Sequence, residues 1–213
     1  MARRRKPNWE QYREATARFK LDESDWDALL LRTDALGDCG SPKMEAAVAD
    51  LEGYLPEIDM EKLRHMPDGT LGREFTRYMD DEKLEPFQIS DDLEAVKRRN
   101  TFYVRYFASH DFIHTILGMD ASPAGEVGVL AFVVRQGYKS SQWFVLTGMM
   151  LGYPILKPRQ FFDYFKNLAF GWRKGGEYGF CLNYKFEERW DWPLEKVREE
   201  LIHMAKKPRM AAA

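Results

Sequence analysis

Two histidines and two carboxylates carry the densest chemistry in this sequence: His110, Asp111 and His114 lie within five residues, and Glu126 follows twelve positions after His114. Residues four apart share one face of an α-helix, and the next residue lies about 100° round it, so two imidazoles and the Asp111 carboxylate can converge. His110 and His114 also fall on a largely apolar stripe, Leu93, Val96, Asn100, Tyr103, Phe107 and Leu117, at steps of three and four. They therefore face inward, where polar groups need partners. Glu126 opens an almost wholly apolar segment, Val127 to Val134, in which an unpaired carboxylate would cost several kcal/mol. If the chain folds back between them, a divalent cation would satisfy all four groups together; the donors suit Zn, Fe(II) or Mn, with Mg in range. An open coordination position would let such a cation polarise a phenolate or activate oxygen or water.

Spacing alone leaves a second reading open: His110 and His114 as hydrogen-bonded core histidines, with Asp111 and Glu126 paired to Arg105, Arg135 or another arginine. The intervening glutamate of HExxH is missing, which disfavours a zincin-like protease. Further His and Asp sufficient for a two-metal phosphohydrolase are missing too.

The elements that must position these groups read as helices. The first forty residues form one or two amphipathic helices ending near Gly37, and Ser41-Pro42 is an N-cap with proline at the first helical position, leading into Met44 to Leu55. Leu63 to Met79 is a turn-rich entry into a short helix with Phe75 and Tyr78. Ser90 to Met119 is one long helix carrying the histidines; Gly118 to Gly125, with Pro123, breaks it. Val127 to Val134 reads as a central helix, apolar on all sides, with a buried strand as the competing assignment. Gln142 to Leu151 and Pro158 to Trp172 follow as two helices separated by Gly152 to Lys157. The glycines at 171, 175, 176 and 179 make a flexible joint, and Pro193 starts a last helix, Leu194 to Met204. The fold class is mainly α, a single-domain multi-helix bundle with a central apolar helix. Residues 1–62 form an N-terminal helical segment packed on the core, 63–205 the core with the metal motif, and 206–213 a basic, frayed tail.

With 213 residues, 45% hydrophobic and 31% charged, the chain sits within the size of one core and far from the composition of disorder. A net charge of -2 gives no basic field to gather nucleic acid. Cys39 and Cys181 offer no disulfide framework and read as two buried small hydrophobes. No apolar run approaches the roughly 20 residues that span a bilayer, and Met1 to Lys6 lacks the features of a secretory signal, so the expected location is cytoplasmic.

The motif His110-Asp111-Phe112-Ile113-His114, then Glu126, resembles the hallmark of the coenzyme Q biosynthesis protein four family, HDxxH followed after eleven residues by Glu. Leu71-Gly72-Arg73-Glu74-Phe75 with Tyr78, Arg105, Gly125-Glu126, Phe132, Gln136 and Trp190 to Arg198 look like the family's pattern, and the likeness covers roughly residues 63–202. What the resemblance implies is an all-helical, often dimeric fold, His110, Asp111, His114 and Glu126 as metal ligands, and a prenyl-lipid groove beside them. It further implies a role in ubiquinone assembly with other quinone-biosynthesis proteins, peripheral on the inner membrane face, the ring's C1 carboxyl being removed oxidatively and the position hydroxylated. Candidates for binding a prenylated quinone precursor are Met149 and Met150, in the tract Trp143 to Ile155, and Phe161 and Phe165 in the aromatic helix. Arg73 and Arg105 can neutralise a carboxylate or phosphate headgroup with a planar fork. The alternatives to an enzyme are a non-catalytic prenyl-lipid binding or scaffold protein, and a metal-dependent hydrolase of a small phosphorylated lipid.

Overall fold

The computed structural model describes residues 5–37, 42–156 and 158–206. Cys39, the Ser41 cap and the tail beyond Lys206 lie outside the described residues. Among the described residues there are eleven α-helices: α1 (Trp9–Leu21), α2 (Trp26–Ala35), α3 (Pro42–Ala47), α4 (Met60–Arg64), α5 (Leu71–Glu82), α6 (Glu94–Arg99), α7 (Thr101–Leu117), α8 (Pro123–Gln136), α9 (Gln142–Leu156), α10 (Phe161–Glu177) and α11 (Leu194–Lys206). No strand occurs among them, only an isolated antiparallel bridge between Thr70 and Pro193. The mainly helical class is therefore observed, and the central apolar segment is helix rather than strand. The chain divides into two compact units, one of residues 1–58 and 85–109, the other of 59–84 and 110–213.

In the first unit, α1 and α2 form a hairpin started by side-chain caps, Asn8 accepting from the Gln11 amide and Asp25 from the Ala28 amide. Gly37 then turns the chain at φ +62. Beyond it the expected helix from Met44 to Leu55 is cut short. Val48 leaves helical geometry at φ -118, ψ 9, and only a 3-10 turn, Ala49–Leu51, follows. The tighter turn sets residues three apart on one side, which buries both Val48 and Leu51. The long helix expected from Ser90 to Met119 is likewise divided, at Asn100, whose φ of -119 and ψ of 35 end α6. The Asn100 side-chain Nδ2 donates to Asp34 at 3.0 Å. That buried carboxylate also accepts from Arg99 at 2.7 Å and from Arg5. Burial alone would raise the Asp34 pKa, but the two guanidiniums hold it below the usual carboxylate value.

The second unit holds His110, Asp111, His114 and Glu126. Phe112, inside the motif, is buried and stacks on Phe75 of α5 at 4.7 Å between ring centres and on Phe186 at 5.0 Å. Trp190 closes this aromatic cluster at 5.2 Å from Phe112. The start of α5 is held to the same segment, the Leu71 amide donating to the Trp192 carbonyl at 2.8 Å and the Gly72 amide to the Trp190 carbonyl at 2.9 Å. A Cβ at Gly72 would stand 2.6 Å from the Met66 sulfur, so that position has room only for hydrogen.

Around α8, Ala124, Val127, Ala131 and Val134 pack with Leu146 of α9 and Tyr164 of α10. Two expectations fail here. Helix α9 runs through Gly152 to Leu156, with Tyr153 stacked on Tyr164 at 5.9 Å and 15°. Helix α10 likewise runs through Gly171, Gly175 and Gly176 to Glu177, so these glycines are no joint. A Cβ at Gly171 would overlap the Gly128 carbonyl, and one at Gly175 would stand 2.6 Å from the Phe132 carbonyl oxygen. They are small because α8 and α10 meet backbone to backbone, and the packing outweighs the helix propensity that glycine lacks.

A candidate metal centre

His110 and His114 lie in the last two turns of α7, their rings 4.8 Å apart and inclined at 71°. Helix α7 ends in a capping motif built on Gly118, which adopts φ +65: the Met119 amide donates to the His114 carbonyl at 3.1 Å and the Gly118 amide to the Thr115 carbonyl at 3.2 Å. This turn carries the Met119 carbonyl oxygen to 3.2 Å from Nδ1 of His114. A carbonyl only accepts, so Nδ1 donates, and the lone pair of the neutral ring is left on Nε2.

Three residues later the chain enters α8. Ser122 caps it, accepting from the Gly125 amide, and is itself held by Asp120 at 2.6 Å. Pro123 occupies the first helical position, and at Gly125 a Cβ would collide with the Asp120 carbonyl. The close turn delivers Glu126, in the first turn of α8, to the two histidines. Its carboxylate oxygens stand 3.3 Å from Nε2 of His114 and 3.6 Å from Nε2 of His110, and the two Nε2 atoms are 3.2 Å apart.

His114 is fully buried, while His110 and Glu126 are partly open. Burial works against charge on the Glu126 carboxyl, yet the two imidazoles hold it far below the usual carboxylate range. Burial likewise depresses His110, but the Glu126 carboxylate and the Asp111 charge outweigh it and raise its pKa above 6.5. Burial pushes the Asp111 carboxyl up. The Tyr78 phenol is also pushed up, by burial first and then by Asp111 and Glu126, so it stays protonated.

One ligand atom each from His110, His114 and Glu126 lies within 4.8 Å of the others. The shortest separations match the edge of a tetrahedron about 3.3 Å long around a cation with bonds near 2.0–2.1 Å. Two nitrogens and a carboxylate therefore fit a divalent metal. The Asp111 carboxylate is not part of this group, although its charge acts on both His110 and Glu126. A cavity of about 350 Å³ opens beside the 118–122 turn, lined by polar groups of Asp120, Ser122, Gln160, Asp163 and Asn167.

The other expected site residues are spread more widely. Arg73, on α5, has its Nε 3.7 Å from the exposed Asp68. Arg105 belongs to the first unit, where its guanidinium is buried and stands 5.9 Å over the Tyr54 ring. Arg135 lies over Trp172 at 5.3 Å. Met149 packs against the α8 core, whereas Met150 turns outward on the same helix. Phe161 and Phe165 lie 5.0 Å apart and are more than a third exposed, beside the still more open Phe162. Cys181 is a buried small side chain as expected, its thiol pushed up to about 12 by burial.

Sequence reasoning gave no role to Tyr78 or Met119. Tyr78 stacks on His114 at 5.1 Å and 17°. The available signal was its place three residues after Phe75, next to the buried residues of α5.

The pattern described as "Coenzyme Q (ubiquinone) biosynthesis protein Coq4" matches residues 55–206, which include every residue of the metal motif. The chain belongs to the Coq4 family. Among curated proteins, the mouse ubiquinone biosynthesis protein COQ4 homolog, mitochondrial, is 33% identical over 150 residues, covering 69% of this chain and 55% of that protein. The human homolog is 31% identical over 148 residues, covering 68% and 54%. The similar region thus spans about half the length of these Coq4 relatives. A crystal structure from Nostoc punctiforme PCC 73102, solved under a provisional ubiquinone-biosynthesis name, superposes with a TM-score of 0.61 at 23% identity, covering 92% of this chain and 98% of that one. That likeness supports the shared fold. Coq4 relatives are named as mitochondrial, and among the described residues no helix is long and apolar enough to cross a membrane.

Proposed function

We propose that this Coq4-family chain acts in ubiquinone assembly by binding a polyprenylated aromatic precursor beside a divalent metal, for oxidative decarboxylation and hydroxylation at ring C1. His110, His114 and Glu126 hold the metal, and Asp111, outside that group, acts on it through its charge. One observation carries the metal assignment: the lone pair of His114 Nε2, fixed by the Met119 bond, points at another ring nitrogen and a carboxylate. Three such atoms so close need a cation or a shared proton between them, and the open face at His110 and Glu126 leaves room for the cation. The bound cation would supply Lewis-acid or redox chemistry towards a phenolate, oxygen or water.

The chain's own groups divide the remaining work. Tyr78 closes one side of His114 with an uncharged ring, and the polar cavity at the 118–122 turn admits a headgroup. The charge-free helix α9 and the aromatic start of α10 expose Trp143, Phe144, Leu151, Phe161, Phe162 and Phe165, a surface suited to a prenyl tail at the inner face of a membrane. Arg73, on α5, is the proposed headgroup cation. The same exposed apolar face favours a second reading, a non-catalytic lipid-binding or scaffold protein that joins a second copy or other quinone-biosynthesis proteins there.

Native mass spectrometry of the wild type beside the His110→Ala, His114→Ala double variant tests the reading. A metal mass and a prenyl-sized mass that both vanish in the variant are expected. A protein with neither, retaining its fold, returns the site to a protonated His110–Glu126 pair. A prenylated ligand that is retained but never turned over in air with metal present favours the scaffold.

A further inference from the structure

We propose that Tyr78 is a positioning residue for His114, gripping the imidazole by its face while the Met119 carbonyl grips it by Nδ1. The inference rests on the metal reading above and adds to it the device that aims one ligand. An imidazole has two soft torsions, and a ligand nitrogen is aimed only when both are fixed. The Nδ1–carbonyl contact of 3.2 Å pins one edge of the ring but leaves it free to tilt about that contact. The Tyr78 ring, nearly parallel to His114 at 17° with centres 5.1 Å apart, removes the tilt.

Both grips are themselves anchored. Tyr78 stands one turn along α5 from Phe75, which stacks on Phe112, two residues before His114, so one helix face meets α7 at two successive rings. Met119 is buried, and its sulfur fills the space that a Cβ on Gly128 would need, which ties the 118–122 turn to α8, the helix that carries Glu126. His110 is partly open to solvent by contrast, so the support is concentrated on the fully buried ligand. An imidazole that gives its lone pair to a cation becomes electron-poor, and an electron-rich phenol ring then stacks on it more strongly. The grip should therefore tighten on loading.

Two readouts of Tyr78→Leu and Tyr78→Phe test this. In metal-free protein, long-range proton–nitrogen NMR should show His114 as a single Nδ1–H tautomer in the wild type and in Tyr78→Phe, and as a mixture in Tyr78→Leu. With Co(II) as the probe metal, Tyr78→Phe should bind within about threefold of the wild type. Tyr78→Leu should bind roughly 10–100-fold more weakly, with a shifted visible spectrum and unchanged helical circular dichroism. If Tyr78→Leu fails to fold, Tyr78→Met gives the same comparison with an unbranched side chain. A leucine or methionine variant with the wild-type tautomer and Co(II) spectrum overturns the proposal, as does a phenylalanine variant as impaired as leucine. Should the wild type bind no Co(II), the metal reading fails, and the tautomer comparison still decides whether Tyr78 positions His114.

Discussion

At the scale of single residues, the proposed function would set a proton and a metal in competition for the same three acceptors. In the metal-free protein the proton on His110 answers the Glu126 charge, 3.6 Å away. The His110 pKa is raised above 6.5, so its share of stability is complete below that pH and is lost as pH rises through the raised value. The Glu126 pKa is lowered from 4.5, so its share is present above about that pH and disappears only in stronger acid. A chelated protein should therefore melt at falling temperature as the pH is raised from about 6 upward. Metal affinity should climb over the same interval, because the ligand imidazoles must be neutral. Calorimetric scans with and without chelator across that range measure both trends; parallel curves would remove the shared site. Glu126→Gln keeps the side-chain shape and loses the charge. It should keep the helical fold, flatten the dependence of the chelated protein's melting temperature on pH, and weaken metal binding at least tenfold by titration calorimetry; unchanged affinity would take Glu126 out of the proposed ligand set.

At the scale of elements, α7 and α8 bring His110, His114 and Glu126 together because the turn between them is over-determined. Gly118 takes a left-handed conformation, the Met119 amide and carbonyl both return to His114, Ser122 caps α8, and Gly125 leaves room for the Asp120 carbonyl. A Cβ at Gly118 would find only the Arg198 guanidinium at 4.0 Å, so Gly118→Ala should suffer conformational strain of about 1–2 kcal/mol rather than a clash. The partner element α10 holds α8 through Gly171 and Gly175. Gly171→Ala would gain helix propensity yet force the two backbones apart. It should destabilise the protein by about 1–3 kcal/mol, seen as a shift of the urea midpoint. A stabilised Gly171→Ala protein would contradict the close approach of α8 and α10.

At the scale of the whole molecule, the chain spends its apolar residues unevenly. Helix α8 is almost entirely buried, whereas α9, with no charge in fifteen residues, leaves Phe144 and Leu151 more than two-thirds exposed, and Phe162 joins them from α10. If that face rests on a membrane, replacing Phe144, Leu151 and Phe162 together by serine should reduce co-sedimentation with vesicles of anionic phospholipid several-fold without altering metal content. Equal sedimentation of the two proteins would leave the face to a second copy or another partner.

The sequence by itself determined the helical class and the placing of His110 and His114 on one helix face with a proline–glycine break before Glu126, because spacing on a helix and such a break are local facts that survive any tertiary arrangement. It also carried the family pattern. Tertiary structure alone decided where helices end when a side chain has a better partner elsewhere, as Asn100 does in Asp34, and why glycines run through α10 instead of hinging it. It also set Asp111 apart from the three closest ligand atoms and brought Tyr78 onto His114 from a helix more than thirty residues earlier. Those outcomes depend on close packing between segments distant in the chain, and no periodicity within one segment records which face its neighbour will present.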